Sequence, residues 1–326
     1  MPFTADHNGF FRDGQPFFPL IQDSADISEW PNTAVVCLPA RLENDLDWSG
    51  SIKKAQEYIA LGKSILWEID LGLCDYSFDP QDSAAFFSFT LALDEFSNKI
   101  WPVFHEQTLG VALYRGAFDP ALSFPHSKWE PAYVEWLSEF EQAVPDWHEL
   151  KSSAMDYYPL YAVQNLAEYL HRLVSFLPDA ALPFIMVDVS SISSPAKIAQ
   201  LFSKERFEHV HLILKGMTAP FCGIAWGEGG YVQGYMGDSP QLKQDSAAPA
   251  LGIYLPKDAM IDSSILKQLD ELIGSIQAPF RIIAEEKLTE QWDGLDKLIV
   301  PSQAVSAQGK RKLLGFIAAG GIVDSR

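Results

Sequence analysis

The sequence predicts an α/β fold: a TIM-like (β/α)8 barrel preceded by an N-terminal β-hairpin or, alternatively, a partial barrel followed by a small doubly wound C-terminal lobe. Three observations favour this class. Short apolar runs typical of buried strands alternate with longer stretches of helical pattern along the 326 residues. Several runs end in charged residues, as strands that lead to an active-site edge do. Eight runs can be counted, and eight parallel strands joined by helices close a barrel.

The N-terminal third of the chain is predicted to hold a hairpin and three strands. Residues 8–18 form the hairpin, because Asp13-Gly14 supplies the positive φ angles of a tight turn. Helices are predicted over residues 52–61, which Gly62 ends, and over residues 84–98. The first three strands are predicted over residues 34–39, within 64–72 and over 109–115.

The alternation continues to the C-terminus after a loop rich in aromatic residues. The polar stretch 238–250 is a possible sub-boundary in what we expect to be a single β/α barrel domain spanning residues 1–326. In the alternative, the chain from Leu251 onward forms its own lobe. Another helix begins where Ser193-Ser194-Pro195 caps it. The remaining helices are predicted over residues 132–143, 160–177 and 307–319, and strands four to eight over 184–189, 210–215, 251–255, 280–284 and 297–300.

Charge and hydrophobicity exclude several classes of partner. The 24 basic and 43 acidic residues give a formal net charge of −19. A surface of this sign repels phosphate groups, so we expect neither nucleic acid nor an anionic membrane as a partner. With 48% hydrophobic residues and no apolar stretch of membrane-spanning length, the chain is predicted to be folded and soluble. The sequence leaves the oligomeric state open.

Cysteine spacing and cofactor motifs give no sign of a metal or a cofactor. The three cysteines, Cys37, Cys74 and Cys222, have no spacing typical of a zinc site or a disulfide framework. His209 and His211 share a strand face but lack further ligands at metal spacing, so we expect no metal. No dinucleotide fingerprint, P-loop or nucleophile elbow is present, so we expect no cofactor. The first residues show no basic region followed by an apolar run, and we expect a cytoplasmic protein.

Two segments carry a family resemblance. The opening hairpin, residues 9–18 (GFFRDGQPFF), resembles the hairpin that precedes strand one in many TIM-barrel glycoside hydrolases. The tail, in residues 281–286, 295–301 and 313–323, resembles the amidotransferase-like domain that follows the barrel in some β-galactosidases. The resemblance implies a glycoside hydrolase-like protein that acts on or binds a carbohydrate, its expected small-molecule ligand, through paired carboxylates.

The candidate site residues lie at the carboxyl ends of the predicted strands, where a β/α barrel places its reacting groups. Glycoside cleavage needs two carboxyl groups across the scissile bond. We predict Asp188 as acid/base and Glu285 as nucleophile. Glu68 and Asp70 share one strand face and are predicted to bind hydroxyl groups or to substitute for one of that pair. Further substrate contacts are predicted for Arg115, Trp67, Trp226 and Tyr231.

This sequence departs from the family pattern at the ends of two predicted strands. The family usually carries an Asn-Glu pair at the end of strand four, where this chain has Asp188-Val189. Its nucleophile is a Glu at the end of strand seven, and Glu285 or Glu286 matches that place only if eight strands form one barrel.

Each candidate also has a structural interpretation. Glu68 and Asp70 could pair with Arg41 or Arg115 in an ion network, Asp188 could cap the following helix, and Glu285 could begin a solvated helix. Two other functions therefore stay open. One is a catalytically inactive barrel that serves as a binding or interaction protein. The other is an aldolase or isomerase that uses Lys215 as a Schiff-base lysine.

Overall fold

Three β-sheets organise the described part of the chain: one antiparallel sheet of three strands and two parallel sheets of seven and four strands. The computed structural model describes residues 3–6, 9–17, 19–22, 32–40, 46–70, 83–117, 130–138, 158–188, 194–201, 210–215, 235–236, 250–256, 263–276, 278, 280–301 and 305–326.

The antiparallel sheet contains the predicted hairpin. Its strands are β1 (Phe3–Asp6), β2 (Gly9–Arg12) and β3 (Gln15–Phe17). Asp13 and Gly14 have φ angles of 51° and 76°. Positive φ at both central residues is the signature of a type I′ turn, so the predicted turn is confirmed.

The larger parallel sheet curves round on itself. In spatial order it runs β10-β4-β5-β6-β7-β8-β9, and each hydrogen-bonded pair is parallel. The two outermost strands in this order, β9 and β10, also contact each other. The sheet is therefore barrel-like, with seven strands in its described part. These strands are β4 (Leu20–Gln22), β5 (Thr33–Pro39), β6 (Ser64–Asp70), β7 (Thr108–Ala117), β8 (Pro183–Asp188), β9 (His211–Lys215) and β10 (Tyr235–Met236).

Helices cover the outer face of this sheet. Gly62, with φ +78°, follows the first helix as predicted. The second helix continues into a π-helical turn, Phe96–Ile100. Apolar residues from helices and strands form one large core on this side. The helices are α1 (Ser49–Ala60), α2 (Ser83–Glu95), α3 (Trp101–Phe104), α4 (Glu130–Ser138), α5 (Tyr158–Val174) and α6 (Pro195–Leu201).

The inner face of the seven-stranded sheet has an apolar core of its own, and the hairpin covers one end of it. The ring of Phe10 lies 5.7 Å from Phe184 and 5.0 Å from His211, measured between centroids. His211 begins β9 and Phe184 lies near the start of β8, so the hairpin covers the amino ends of the strands. This inner core comprises Phe3, Phe10, Ile21, Val35, Leu66, Leu109, Ala112, Phe184, Met186 and Ile213.

The C-terminal strands form a separate parallel sheet, which corrects the predicted eight-stranded barrel. Its order is β12-β11-β13-β14, so predicted strands six to eight do not belong to the barrel. The alternative prediction, a C-terminal lobe that begins at Leu251, is confirmed. The strands are β11 (Leu251–Leu255), β12 (Arg281–Ala284), β13 (Lys297–Val300) and β14 (Ile322–Ser325), and the helices are α7 (Ser263–Ser275), α8 (Leu288–Gln291) and α9 (Ala307–Ala318).

Helices pack on both faces of the four-stranded sheet. On one face α7 contacts α6, where Asp270 Oδ1 accepts a hydrogen bond of 2.8 Å from the backbone N–H of Ala196. Ile253 and Ile282 of this face belong to the same core as the outer face of the larger sheet. On the other face α9 covers Tyr254, Ile283 and other apolar side chains. Of the helices that the structure describes, none has the length and apolar character that a membrane crossing requires.

Candidate functional site

The carboxyl edge of the seven-stranded sheet holds four of the eight predicted site residues, namely Glu68, Asp70, Arg115 and Asp188. Side chains along a strand alternate between its faces. Leu66 and Met186 belong to the inner core, and Glu68 and Asp188 follow them by two residues on the same strands. Asp70 follows by four. These carboxylates therefore lie on the inner side, at the end of the sheet opposite the hairpin.

A register shift brings Arg115 to the same side. Ala112 faces the inner core, so strict alternation would turn Arg115 toward the helices. The pairing of β7 with β8 shifts between Ala112 and Tyr114, and such an irregularity re-aims the side chains that follow it. The Nη1 of Arg115 consequently donates a hydrogen bond of 3.0 Å to Glu68 Oε2.

The Glu68–Arg115 pair is half buried. The side chain of Glu68 is 10% exposed and that of Arg115 is 37% exposed. A carboxylate at this depth needs an ionic or hydrogen-bonded partner, because burying it alone costs several kcal/mol. The predicted ion network is thus confirmed for Glu68 and Arg115. Arg41, the other predicted partner, lies outside the described residues.

Asp70 has a thiol neighbour that the sequence analysis missed. Cys37 is exposed, and its Sγ lies 3.9 Å from Asp70 Oδ2, within the range of a weak sulfur hydrogen bond. Cys37 follows the inner-core residue Val35 by two positions on β5. The alternation that indicated Glu68 could therefore have indicated Cys37 as well. The sequence analysis treated it only as a cysteine without a partner cysteine.

Asp188 ends β8 and lies between two neighbouring strands. It stands in register with Ala117 of β7 and with Lys215 of β9, and it is half buried. The interpretation of Asp188 as the cap of the next helix is wrong. In α6 the backbone N–H of Lys197 donates to Ser194 Oγ over 3.0 Å. Ser194 is therefore the capping residue, as its sequence predicted.

Trp67 occupies the opposite face of β6 from Glu68 and belongs to the outer core. Its side chain is 0% exposed, and its Nε1 donates a hydrogen bond of 2.9 Å to Thr108 Oγ1. Its ring packs edge-on against Phe96 and Phe104. Trp67 thus offers no open face to a ligand, contrary to the predicted contact. Trp226 and Tyr231, the other predicted aromatic contacts, lie outside the described residues.

Glu285 lies on the other sheet, directly after β12, so the prediction that it ends a strand of the same barrel as Asp188 is wrong. Only 4% of the residue is exposed. Its carboxylate accepts a hydrogen bond of 2.5 Å from the hydroxyl of Tyr254 and another from the hydroxyl of Ser306. The backbone N–H of Gly309 donates to that same Ser306 hydroxyl over 2.9 Å. Glu285 therefore ties β11 and β12 to the first turn of α9.

The hydroxyl of Tyr254 stays protonated in this environment. Burial raises the pKa of Tyr254 far above its ordinary value, and the hydrogen bond to Glu285 and the negative charges of Glu285 and Glu286 raise it further. A protonated hydroxyl can donate to a carboxylate, so the pair is stable as a hydrogen bond. These are features of a structural carboxylate.

Comparison with known proteins gives a likeness of fold. No family model matches the sequence, and no curated protein matches it. A solved β-galactosidase from the psychrophilic Marinomonas ef1 is similar in structure at 8% sequence identity, with a TM-score of 0.51 over 91% of this chain and 71% of that chain. The predicted resemblance to TIM-barrel glycoside hydrolases is confirmed at the level of structure.

Two further solved structures align more loosely. The exo-β-1,4-mannosidase Op5Man5 from Opitutaceae bacterium strain TAV5 has 10% identity and a TM-score of 0.45 over 99% of this chain and 78% of that chain. The catalytic domain of β-amylase from Paenibacillus polymyxa has 9% identity and a TM-score of 0.42 over 94% and 91%.

Proposed function

We propose that the chain is a glycoside hydrolase-like protein that binds or hydrolyses a carbohydrate at the carboxyl edge of its seven-stranded sheet. One observation carries the proposal: Glu68, Asp70 and Asp188 stand with Arg115 on the inner side of adjacent strands, above an apolar core. Carboxylates and a guanidinium together offer acceptors and donors to the hydroxyl groups of a sugar. The likeness of fold to a β-galactosidase supports the same site, because β/α barrels act at this edge.

The roles within the site follow from the partners of each carboxylate. Glu68 is held by Arg115, so we assign it to ligand hydroxyls rather than to proton transfer. Asp188 acts as the acid/base. Asp70 is half buried beside the exposed Cys37 and takes the second carboxylate role that the sequence gave to Glu285.

We propose that the whole chain is one domain, in which the seven-stranded sheet forms the barrel-like part. Support comes from the single apolar core that includes both the outer face of the seven-stranded sheet and one face of the four-stranded sheet. In this domain Glu285 has a structural role. Trp226 and Tyr231 remain the proposed aromatic platforms for a sugar ring.

The second candidate is a barrel that binds a carbohydrate without cleaving it. The ion pair between Glu68 and Arg115 favours this candidate, since a paired carboxylate and guanidinium can contact ligand hydroxyl groups without transferring a proton. In this candidate function the carbohydrate-binding site is the same and only the acid/base chemistry is missing.

The test combines turnover with binding. A panel of 4-nitrophenyl glycosides reports cleavage, and isothermal titration with the parent sugars reports binding. If the chain is a hydrolase, Asp188→Asn and Asp70→Asn each lower kcat by about 10²- to 10⁴-fold while the sugar still binds. The matched control is Asp94→Asn, at an exposed carboxylate of α2, which should change neither quantity.

The outcomes separate the two candidates. Binding by the wild type with no turnover would favour the non-catalytic barrel. The proposal as a whole is contradicted if no sugar of the panel binds, or if Asp70→Asn and Asp188→Asn leave binding and turnover unchanged.

A further inference from the structure

A cleft opens at the amino end of the four-stranded sheet, away from Glu285. The turn between α8 and β13 meets the turn between α9 and β14 there, and the cleft has a volume of about 560 Å³. Small-molecule sites are typically about 300 to 1,000 Å³. Its lining includes Trp292, Asp293, Asp296, Gly320 and Gly321.

The aromatic wall of the cleft is fixed against a helix. A Cβ on Gly315 would come within 3.3 Å of the Cη2 of Trp292, so one edge of the indole rests on the backbone of α9. The indole also lies 6.0 Å from Phe316, measured between ring centroids. Trp292 itself is only half buried, which leaves part of its surface open to the cleft. Its Nε1 has no hydrogen-bond acceptor among the residues that the structure describes.

Hydrogen bonds to backbone carbonyls hold the two turns that form the cleft, and the N–H of Ile322 in the second turn donates to Asp296 of the first over 2.9 Å. The buried Arg281 donates to the carbonyl of Asp293 over 2.7 Å. The N–H of Leu295 donates to the carbonyl of Trp292 over 2.9 Å, and the N–H of Asp296 donates to Ala250 over 2.8 Å. A site held this firmly binds without the entropic cost of ordering a loop.

The two acidic side chains of the cleft are acceptors of hydrogen bonds. Asp293 and Asp296 are both exposed, and neither forms an ion pair within the described residues. Gly320, with φ +100°, is a position where a side chain would be strained, so this part of the lining is bare backbone. The cleft thus combines one aromatic surface, two carboxylates and an indole N–H.

We propose that this cleft is a second carbohydrate-binding site, which takes the ring of a neutral sugar against Trp292 with its hydroxyl groups on Asp293 and Asp296. The C–H face of a pyranose is apolar and packs on an aromatic surface, while its hydroxyl groups donate to carboxylates. The site is independent of the carboxyl edge of the seven-stranded sheet, since it lies on a different sheet and shares no residue with it.

The experiment follows the indole N–H signal of Trp292 by ¹H–¹⁵N NMR on the full chain. The chain has nine tryptophans, so the signal is assigned as the one that Trp292→Phe removes. Lactose is titrated as the neutral probe and glucosamine as the cationic one. We expect lactose to shift the Trp292 signal saturably, and Asp293→Asn and Asp296→Asn each to raise the Kd at least fivefold. Both carboxylates are exposed, so these variants should fold normally.

Controls at the other site keep the two proposals apart. Asp70→Asn should leave the lactose titration of Trp292 unchanged, whether or not the carboxyl edge of the larger sheet binds sugar. The inference is overturned if lactose gives no saturable shift, if only glucosamine does, if both aspartate variants bind lactose as the wild type does, or if Asp70→Asn abolishes the Trp292 response.

Discussion

The carboxyl edges of the two parallel sheets each hold a buried carboxylate, and the surroundings of these carboxylates differ. Glu68 of the seven-stranded sheet accepts from Arg115, a side chain that is 37% exposed. Glu285 of the four-stranded sheet accepts from the neutral hydroxyls of Tyr254 and Ser306. Glu68 lies two residues before the end of a parallel strand and Glu285 directly after one, so position alone does not distinguish a ligand site from a structural contact.

The difference lies in which neighbouring groups a ligand can reach. Beside Glu68, Cys37 is exposed and Asp70 is half buried, so polar groups of the edge open toward solvent. Beside Glu285, the first turn of α9 closes over the carboxylate, and a Cβ on Gly309 would lie 2.1 Å from the Tyr254 hydroxyl. Among the described residues, the packing around the Glu285 carboxylate therefore leaves no room for a ligand beside it. The following predictions test this contrast through folding stability, from the largest effect to the smallest.

Glu285→Ala should give the largest loss of stability. It removes the acceptor of two hydroxyl groups, that of the fully buried Tyr254 and that of the half-buried Ser306. We expect the free energy of unfolding to fall by about 3 kcal/mol, measured by urea denaturation. Glu271→Ala, at an exposed glutamate of α7, is the control and should change it by less than about 0.5 kcal/mol. A loss below 1 kcal/mol in Glu285→Ala, which is about the size of one net hydrogen bond, would contradict the structural role.

Gly309→Ala should give the next largest loss of stability. The added methyl would lie 2.1 Å from the hydroxyl of Tyr254 and 2.9 Å from Cδ of Glu285, so either the helix or the hydrogen bond must move. Overpacking of this kind costs about 2 kcal/mol. Gly274→Ala is the matched control, because nothing lies within 4 Å of the added methyl, and it should stabilise the chain by about 0.5 kcal/mol. Equal effects of the two substitutions would show that α9 does not close over Glu285.

Tyr254→Phe tests the same contact through pH. The fold raises the pKa of Tyr254, so the protonated form contributes stability at pH values below about 10, the ordinary pKa of tyrosine, and that contribution is lost as the pH rises above it. At pH 7 the substitution should cost about 1.5 kcal/mol. Above pH 10 the wild type should lose an additional ~1.4 kcal/mol per pH unit that the variant does not lose. A gap between the two proteins that stays constant with pH would contradict the buried hydrogen bond.

The sequence predicted the strands and helices more accurately than it predicted which sheet each strand joins. Alternating helices and strands follow local periodicity, and the hairpin follows from Asp13 and Gly14, so both were predicted. Strands of both parallel sheets, such as β6 and β12, are buried on both faces and form similar apolar runs. Nothing in such a run, for example residues 281–284, specifies the sheet that it joins. The assignment of Glu285 to the barrel was wrong for that reason.

Trp67, which was wrongly predicted to contact a ligand, and Arg115, which was placed correctly, differ in how far the sequence determines the direction of the side chain. Trp67 and Glu68 are consecutive on one strand, so alternation already excludes that both face the same side. The burial of Trp67 was therefore predictable from the sequence. The inward direction of Arg115 depends on the register shift between Ala112 and Tyr114, and such a shift arises from pairing with β8, which the sequence of β7 alone does not encode.

The smallest expected effect is the coupling energy between Glu68 and Arg115. This coupling measures how much their ion pair contributes to the free energy of unfolding. A double-mutant cycle with Glu68→Gln and Arg115→Met isolates their interaction. The Glu68 side chain is 10% exposed, but solvent reaches the 37% exposed Arg115, so we expect a coupling of only about 1 kcal/mol in urea denaturation. The matched cycle uses Glu95 and Lys99, an i,i+4 pair whose lysine is 61% exposed, with an expected coupling of about 0.3 kcal/mol.

The size of this coupling can be compared with the stability lost in Glu285→Ala, because Glu285 is a carboxylate with a purely structural role. A Glu68–Arg115 coupling as large as the loss in Glu285→Ala would mean that the pair is structural, and the contrast between the two edges would fail. A small coupling means that folding gains little from placing a carboxylate and a guanidinium there. That outcome would agree with the proposed role, in which both groups contact a ligand.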